Sequence, residues 1–178
     1  MYDTEIWTEV FDFEAYHVSN TGKVRKARPY PKDIGTQILP DGSIGVKLYG
    51  HGRSYQFLMR RLVAEAFCDR RSAREDSVIH IDGDKLNCHA SNLAWRPRWF
   101  VWKYTNQFRT LNDVKWYRPV FNVTTGQPHE SVVAAGLHDA TLWEEIVKSA
   151  MTGAHAYPGI SYEFLSIKEF YGPEADWG

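Results

Sequence analysis

The order of apolar and polar positions breaks this chain into short segments of changing period. Tyr16 and Val18 alternate with polar neighbours, which predicts a half-buried strand closing residues 5–19. Asn20-Thr21-Gly22 reads as a hairpin turn and Lys23-Val24-Arg25 as the returning strand. Pro29, Pro31 and Gly35 then predict an extended loop. A second antiparallel pair follows: Ile44, Val46 and Leu48 alternate, Gly50-His51-Gly52 turns the chain, and 54–58 returns. His51, in that turn, is expected at the surface. The period then lengthens. Leu62, Val63, Ala66 and Phe67 recur at helical spacing and predict a helix over 60–67, followed by a charged loop over 69–76.

Val78 and Ile79 read as a short strand ending on His80, Asp82-Gly83-Asp84 as a turn, and Leu93-Ala94-Trp95 as a second strand. Pro97 suits the first turn of a helix, where its missing N–H costs nothing. The aromatic run after it would form that helix, with Trp99, Phe100, Trp102 and Tyr104 expected in a core. A strand over 119–123, a turn at Thr124-Thr125-Gly126 and a second short strand open the last part. Ser131 is the expected N-cap of a helix through Ala135 that Gly136 ends. Thr141 is expected to cap a helix over 142–151, stopped by Gly153, with Trp143 either exposed for a protein contact or packed on the closing strand, Tyr162-Glu163-Phe164-Leu165. A loose tail follows. The class is α+β: small antiparallel hairpins, a ββα unit and a compact C-terminal helical module. The expected divisions are 1–58, 59–108, a linker at 109–118, and 119–178.

The 43% hydrophobic content supports a packed core, and the net charge of −1 conceals a division. Residues 1–15 carry five acids and no base, 16–118 carry nineteen Lys and Arg against nine acids, and 119–178 carry Lys148 and Lys168 against eight acids. A basic middle is the footprint of a nucleic-acid surface, the rival being a solvated basic face. Lys23, Arg25, Lys26 and Arg28 on the early strand and the loop after it, with Arg96, Arg98 and Lys103 on the helix that follows Leu93-Ala94-Trp95, are the candidate phosphate contacts. Cys68 and Cys88 stand alone, which indicates neither a disulfide framework nor a zinc knuckle. The start, Met-Tyr-Asp-Thr-Glu, is polar and acidic, and no apolar run would span a bilayer. Neither a leader nor a membrane partner is expected, and a cytoplasmic setting follows.

His80-Ile81-Asp82-Gly83-Asp84-Lys85-Leu86-Asn87 with Asn92-Leu93-Ala94-Trp95 resembles the HNH motif of phage intron-encoded homing endonucleases. The segment 61–67 is similar to the helix preceding that motif. Glu5-Ile6-Trp7 and residues 16–25 resemble the family's N-terminal modular motif. Residues 119–126, with the two helical stretches after them, resemble its C-terminal helix-turn-helix module. The likeness runs from about residue 5 to 165. It implies a ββα-metal unit, a double-stranded DNA partner in a bacterial host cytoplasm, and hydrolysis of a phosphodiester with Mg²⁺ or Mn²⁺. It assigns His80 as general base and Asn92 as the residue that orients it and braces the hairpin.

The chain departs from the family where the ion binds. A ligand Asp precedes the His in relatives, and here stands Ile79; a ligand Asn or His comes from the helix, and here stands Val101. Asp82 and Asp84 are the weak replacement candidates, since their positions suit turn chemistry. His80, Cys88 and His89 are conceivable soft-metal ligands, but their spacing fits no defensible pattern. Arg60 occupies a place where relatives often carry a His. The helix over 142–151 offers Glu144 and Glu145 where a recognition helix would offer bases. Three readings stay open. One is a DNA-binding protein on this scaffold whose nicking is lost and whose metal is dispensable. The other is an active metal-dependent endonuclease. A third is a regulatory or protein-interaction factor that uses the acidic C-terminal module.

Overall fold

The computed structural model describes residues 4–27, 29–108 and 118–172, and the chain divides into two compact units, Met1–Val101 and Trp102–Gly178. The α+β class is as expected: twelve short strands in four antiparallel sheets and five helices among the described residues. Arg28, most of the expected linker and the last residues of the tail lie outside the described residues.

In the first unit, β1 (Trp7–Val10), β2 (Phe13–Ser19), β3 (Val24–Lys26) and β4 (Lys32–Asp33) form one sheet in that order. The single strand expected to close 5–19 is thus a hairpin, broken at Asp12, which takes a positive φ of 61°. The Asn20-Thr21-Gly22 turn is present, and Gly22 is required there twice over. Its φ is 84°, and a Cβ at that position would stand 3.0 Å from the Cβ of Cys88. β5 (Thr36–Ile38), β6 (Ile44–Gly50) and β7 (Arg53–Leu58) form a second sheet.

α1 (Met59–Phe67) buries Met59, Leu62, Val63 and Ala64. The buried stripe therefore starts a turn earlier than expected, and Ala66 and Phe67 are only partly covered. The third sheet is the hairpin β8 (Ser77–His80) and β9 (Leu93–Arg96), paired Val78 to Trp95 and His80 to Leu93. Trp95 Nε1 donates to the Ala64 carbonyl at 3.2 Å and so fastens this hairpin to α1. One continuous core joins these pieces, from Val10 and Val18 through Leu48 and Val63 to Leu93 and Trp95. Burial of these apolar groups is the main stabilising term.

α2 (Arg98–Gln107) follows Pro97 as expected. Its aromatic residues divide by helical spacing. Phe100 and Tyr104, four apart, are buried, whereas Trp99 and Trp102 are 55% and 71% exposed and do not belong to a core.

The second unit holds the sheet β11 (Gln127–His129), β10 (Val120–Asn122) and β12 (Tyr162–Phe164), with β10 central. α3 (Val132–Asp139) and α4 (Trp143–Thr152) pack on it through Val132, Ala135, Trp143 and Ile146. Ser131 caps α3, its Oγ accepting from Ala134 N at 3.0 Å. Gly136 does not end the helix; it lies inside it, and a Cβ there would stand 2.3 Å from Cδ1 of Trp143. The glycine makes room for the indole, and the helix ends at Ala140, in the left-handed region. Thr141 does not cap α4: its hydroxyl donates to the carbonyls of Asp139 and Tyr157, and Leu142 takes the N-cap place. Trp143 is 1% exposed, so the exposed-anchor reading of this residue is overturned. Ser149 on α4 accepts from Tyr162 N at 3.0 Å and ties the helix to β12. A last helix, α5 (Ile167–Tyr171), closed by a Ser166–Glu169 capping box, was not expected.

Candidate functional site

His80 ends β8 and Asn92 precedes β9, so the two candidates stand at the loop end of one hairpin. Between them the loop is held by side chains. Asn92 Nδ2 donates to Asp82 Oδ1 and to the Asn87 carbonyl, both at 2.9 Å, and Asn92 Oδ1 accepts from Asp82 N at 3.0 Å. Asn87 Nδ2 donates to Asp82 Oδ2 at 2.7 Å, and Asp84 N donates back to Asp82 Oδ1 at 2.8 Å. Both oxygens of Asp82 therefore hold the loop closed. Partial burial raises the Asp82 pKa, but the Asn92 and Asn87 amides and the Asp84 N–H outweigh it and leave the group below its ordinary value. Asp84 Oδ1 accepts from Leu86 N at 2.9 Å, with the residue exposed. Asn92 braces the hairpin through this net; no described hydrogen bond runs from it to the His80 ring.

His80 is 7% exposed, and its Nε2 lies 3.8 Å from Cys88 Sγ. Burial first, then the positive charge of Arg60, lower its pKa to about 4, so the ring is neutral at pH 7. Burial raises the Cys88 thiol to about 11, against the charge of Arg60. His89 turns elsewhere, its Nδ1 2.8 Å from Ser91 Oγ. Ile79 is buried and pairs across the hairpin with Ala94, on the face opposite His80. Val101 is half-buried on α2.

The basic candidates have different surroundings. Lys26 and Arg98 are exposed. Lys23 pairs with Glu5 at 3.2 Å, and the Arg25 guanidinium lies 4.1 Å above the Trp7 ring. Lys103 pairs with Glu144 at 3.1 Å. Arg96 is the exception. It is on β9 rather than on the helix, is 6% exposed, donates Nη1 to the Trp95 carbonyl at 2.8 Å and lies over the Phe100 ring. Its place is in the packing, not on a phosphate-facing surface.

No protein-family model matches the chain. Over 91 residues it is 36% identical to DNA endonuclease I-HmuI of Bacillus phage SP01, a stretch covering 50% of this chain and 51% of that protein. Over 89 residues it is 33% identical to an uncharacterized HNH endonuclease of Acanthamoeba polyphaga mimivirus, covering 50% of this chain and 26% of that protein. Its relatives are HNH endonucleases. The chain spans about half the length of the phage relative and about a quarter of the mimivirus one. The fold likeness is longer. The HNH homing endonuclease I-HmuI, solved to describe DNA binding and cleavage, superposes with a TM-score of 0.53 at 24% identity, over 90% of this chain and 98% of that one. The α+β architecture is that of the HNH homing endonuclease.

The donors around the HNH motif do not fit a hard divalent ion. Such an ion takes oxygen ligands. The His80 ring lies against the Cys88 thiol, Ile79 and Val101 carry no ligand atom, and the Asp82 carboxylate is engaged by two amides. The sequence set Cys88 with His80 only as conceivable soft-metal ligands, and the structure brings the two side chains into contact. Sequence reasoning missed Arg60 as the charge that reaches both. Among the described residues no helix is long and apolar enough to cross a membrane.

Proposed function

We propose that this chain is a double-stranded DNA-binding protein on the HNH endonuclease scaffold in which phosphodiester cleavage is slow or absent. The observation that carries this reading is the pair Ile79 and Val101, apolar side chains at the two positions where the resemblance calls for metal ligands. His80 supports it as well. A buried imidazole with a pKa of about 4 is neutral at pH 7 but a weak proton acceptor, well below the range that suits a general base there. DNA binding rests on the basic residues 16–118 and on the DNA binding of the similar I-HmuI. Lys23, Arg25, Lys26, Arg28, Arg98 and Lys103 are the proposed phosphate contacts, and a phage-type host cytoplasm is the proposed setting.

Nicking of supercoiled plasmid in Mg²⁺ and in Mn²⁺ tests it. Ile79→Asp with Val101→Asn is expected to raise the nicking rate more than about tenfold, equivalent to about 1.4 kcal/mol of barrier. Adding His80→Ala should remove the gain. Robust nicking by the unaltered protein, lost in His80→Ala, would overturn the proposal in favour of an active endonuclease. That second reading draws on the neutral His80 ring and the intact Asn92 brace, and its ligand would come from Asp84 or Asp82.

A further inference from the structure

Metal-ligating side chains also converge outside the HNH motif, within the second unit. His129 ends β11, and His138 and Asp139 end α3. One ligand atom from each lies within 4.8 Å of the other two, and among the described residues no other group of three His, Cys, Asp or Glu side chains does this. We propose that His129, His138 and Asp139 hold a transition-metal ion of the zinc class, which ties β11 to the end of α3.

Three observations carry this. The first is the donor set. Two imidazoles and one carboxylate suit zinc and its neighbours, not Mg²⁺, and donors bound tetrahedrally at about 2.1 Å stand about 3.4 Å apart. His129 Nε2 is 3.6 Å from Asp139 Oδ2, close to that spacing. His138 Nδ1 is 2.8 Å from Asp139 Oδ1, a hydrogen-bond length at which the ion would replace the shared proton.

The second is an unsatisfied atom. The His129 side chain is 8% exposed, and its Nε2 has no hydrogen-bond partner, since 3.6 Å to Asp139 is too long for one. A buried ring nitrogen left without a hydrogen bond and facing a carboxylate needs an explanation, and a shared ion supplies one.

The third is the support behind the carboxylate. Asp139 Oδ2 accepts from Asn122 Nδ2 at 2.9 Å and from the Tyr162 hydroxyl at 2.6 Å. Donors of this kind fix a ligand's orientation. They come from β10 and β12, so the ion would link all three strands of the sheet to α3. His138 is 65% exposed on its side chain, which leaves an entry path and room for water to complete the shell.

The test uses the full chain, freed of metal by a chelator and titrated with Co²⁺, whose visible d–d absorption reports nitrogen and oxygen ligation. One saturable equivalent is expected, displaced by Zn²⁺, with a rise in melting temperature on Zn²⁺ addition. His138→Ala changes an exposed residue and should fold. It should weaken binding more than about tenfold, equivalent to about 1.4 kcal/mol. Asp139→Asn keeps an acceptor for Asn122 and Tyr162 and should weaken it similarly. His80→Ala with Cys88→Ala should leave binding unchanged. No d–d absorption, or binding that survives His138→Ala, would overturn the proposal. So would binding that is lost in the His80 and Cys88 double variant, with thiolate charge-transfer bands in the parent, since that places the ion at the HNH motif.

Discussion

His80 is where a single residue couples the fold to pH. Its folded pKa of about 4 lies below the ordinary 6.5, so the unfolded chain binds the proton first as pH falls. Above pH 6.5 the group has no effect on stability. Between 6.5 and 4 it increasingly favours the unfolded state, and the full cost below that window is about 3 kcal/mol. Urea midpoints measured across pH 7 to 4 should show this loss, and His80→Gln should flatten that part of the profile. An unchanged slope in the variant would assign acid sensitivity to other groups. Gly136 gives a second test at this scale. Gly136→Ala places a methyl 2.3 Å from the Trp143 ring, and the resulting overpacking should lower stability by about 1–3 kcal/mol, read from the urea midpoint at constant slope.

Individual elements show which sequence signals were sufficient. The β8–β9 hairpin, with His80 and Asn92 at its loop end, was legible because alternation, the Asp-Gly turn and Pro97 all agree on the same boundaries. The Ser131 cap was legible for a similar reason: its side chain bonds three residues ahead, within the local sequence. Ser131→Ala should cost about 1 kcal/mol in thermal or urea unfolding, whereas a change within about 0.3 kcal/mol would mean that Ala134 N finds another acceptor. The length of α3 was not legible. Gly136 ordinarily signals an end, and only its contact with Trp143, seven positions on, explains a glycine mid-helix. On α2, four aromatic residues within six positions leave no visible face. The structure selects Phe100 and Tyr104 and exposes Trp99 and Trp102. Arg96 looked like a surface base because the sequence shows charge, not burial. The cluster of His129 with His138 and Asp139 joins a strand end to a helix end, and nothing local announces it.

At the scale of the whole molecule, the charge is divided along the chain, with nineteen bases against nine acids in residues 16–118 and two against eight in 119–178. Duplex binding should therefore fall steeply with salt, because each neutralised phosphate releases counterions. Lys26→Gln with Arg98→Gln should weaken binding to all sequences alike and make the slope shallower by about two in log–log form. Arg96→Gln should instead lower stability, because its guanidinium is buried over Phe100. Binding that does not respond to salt would remove the basic surface from the account.

Cys88 gives the chain an internal clock. Its sulfur is buried beside His80, with the Gly22 turn closed over it, and the neighbouring Ala90 N–H donates to the Asn20 carbonyl at 2.7 Å. Burial holds both Cys68 and Cys88 at about 11, so alkylation of either thiol in the folded state is slow, and Cys88 also lacks access. Iodoacetamide should therefore modify Cys68 first. Cys88 should follow at a rate set by how often the N-terminal turn lifts off the HNH loop. Mass spectrometry of the two alkylation phases would time that opening with no engineered label, and any ligand that clamps the loop would lengthen the second phase while leaving the first alone.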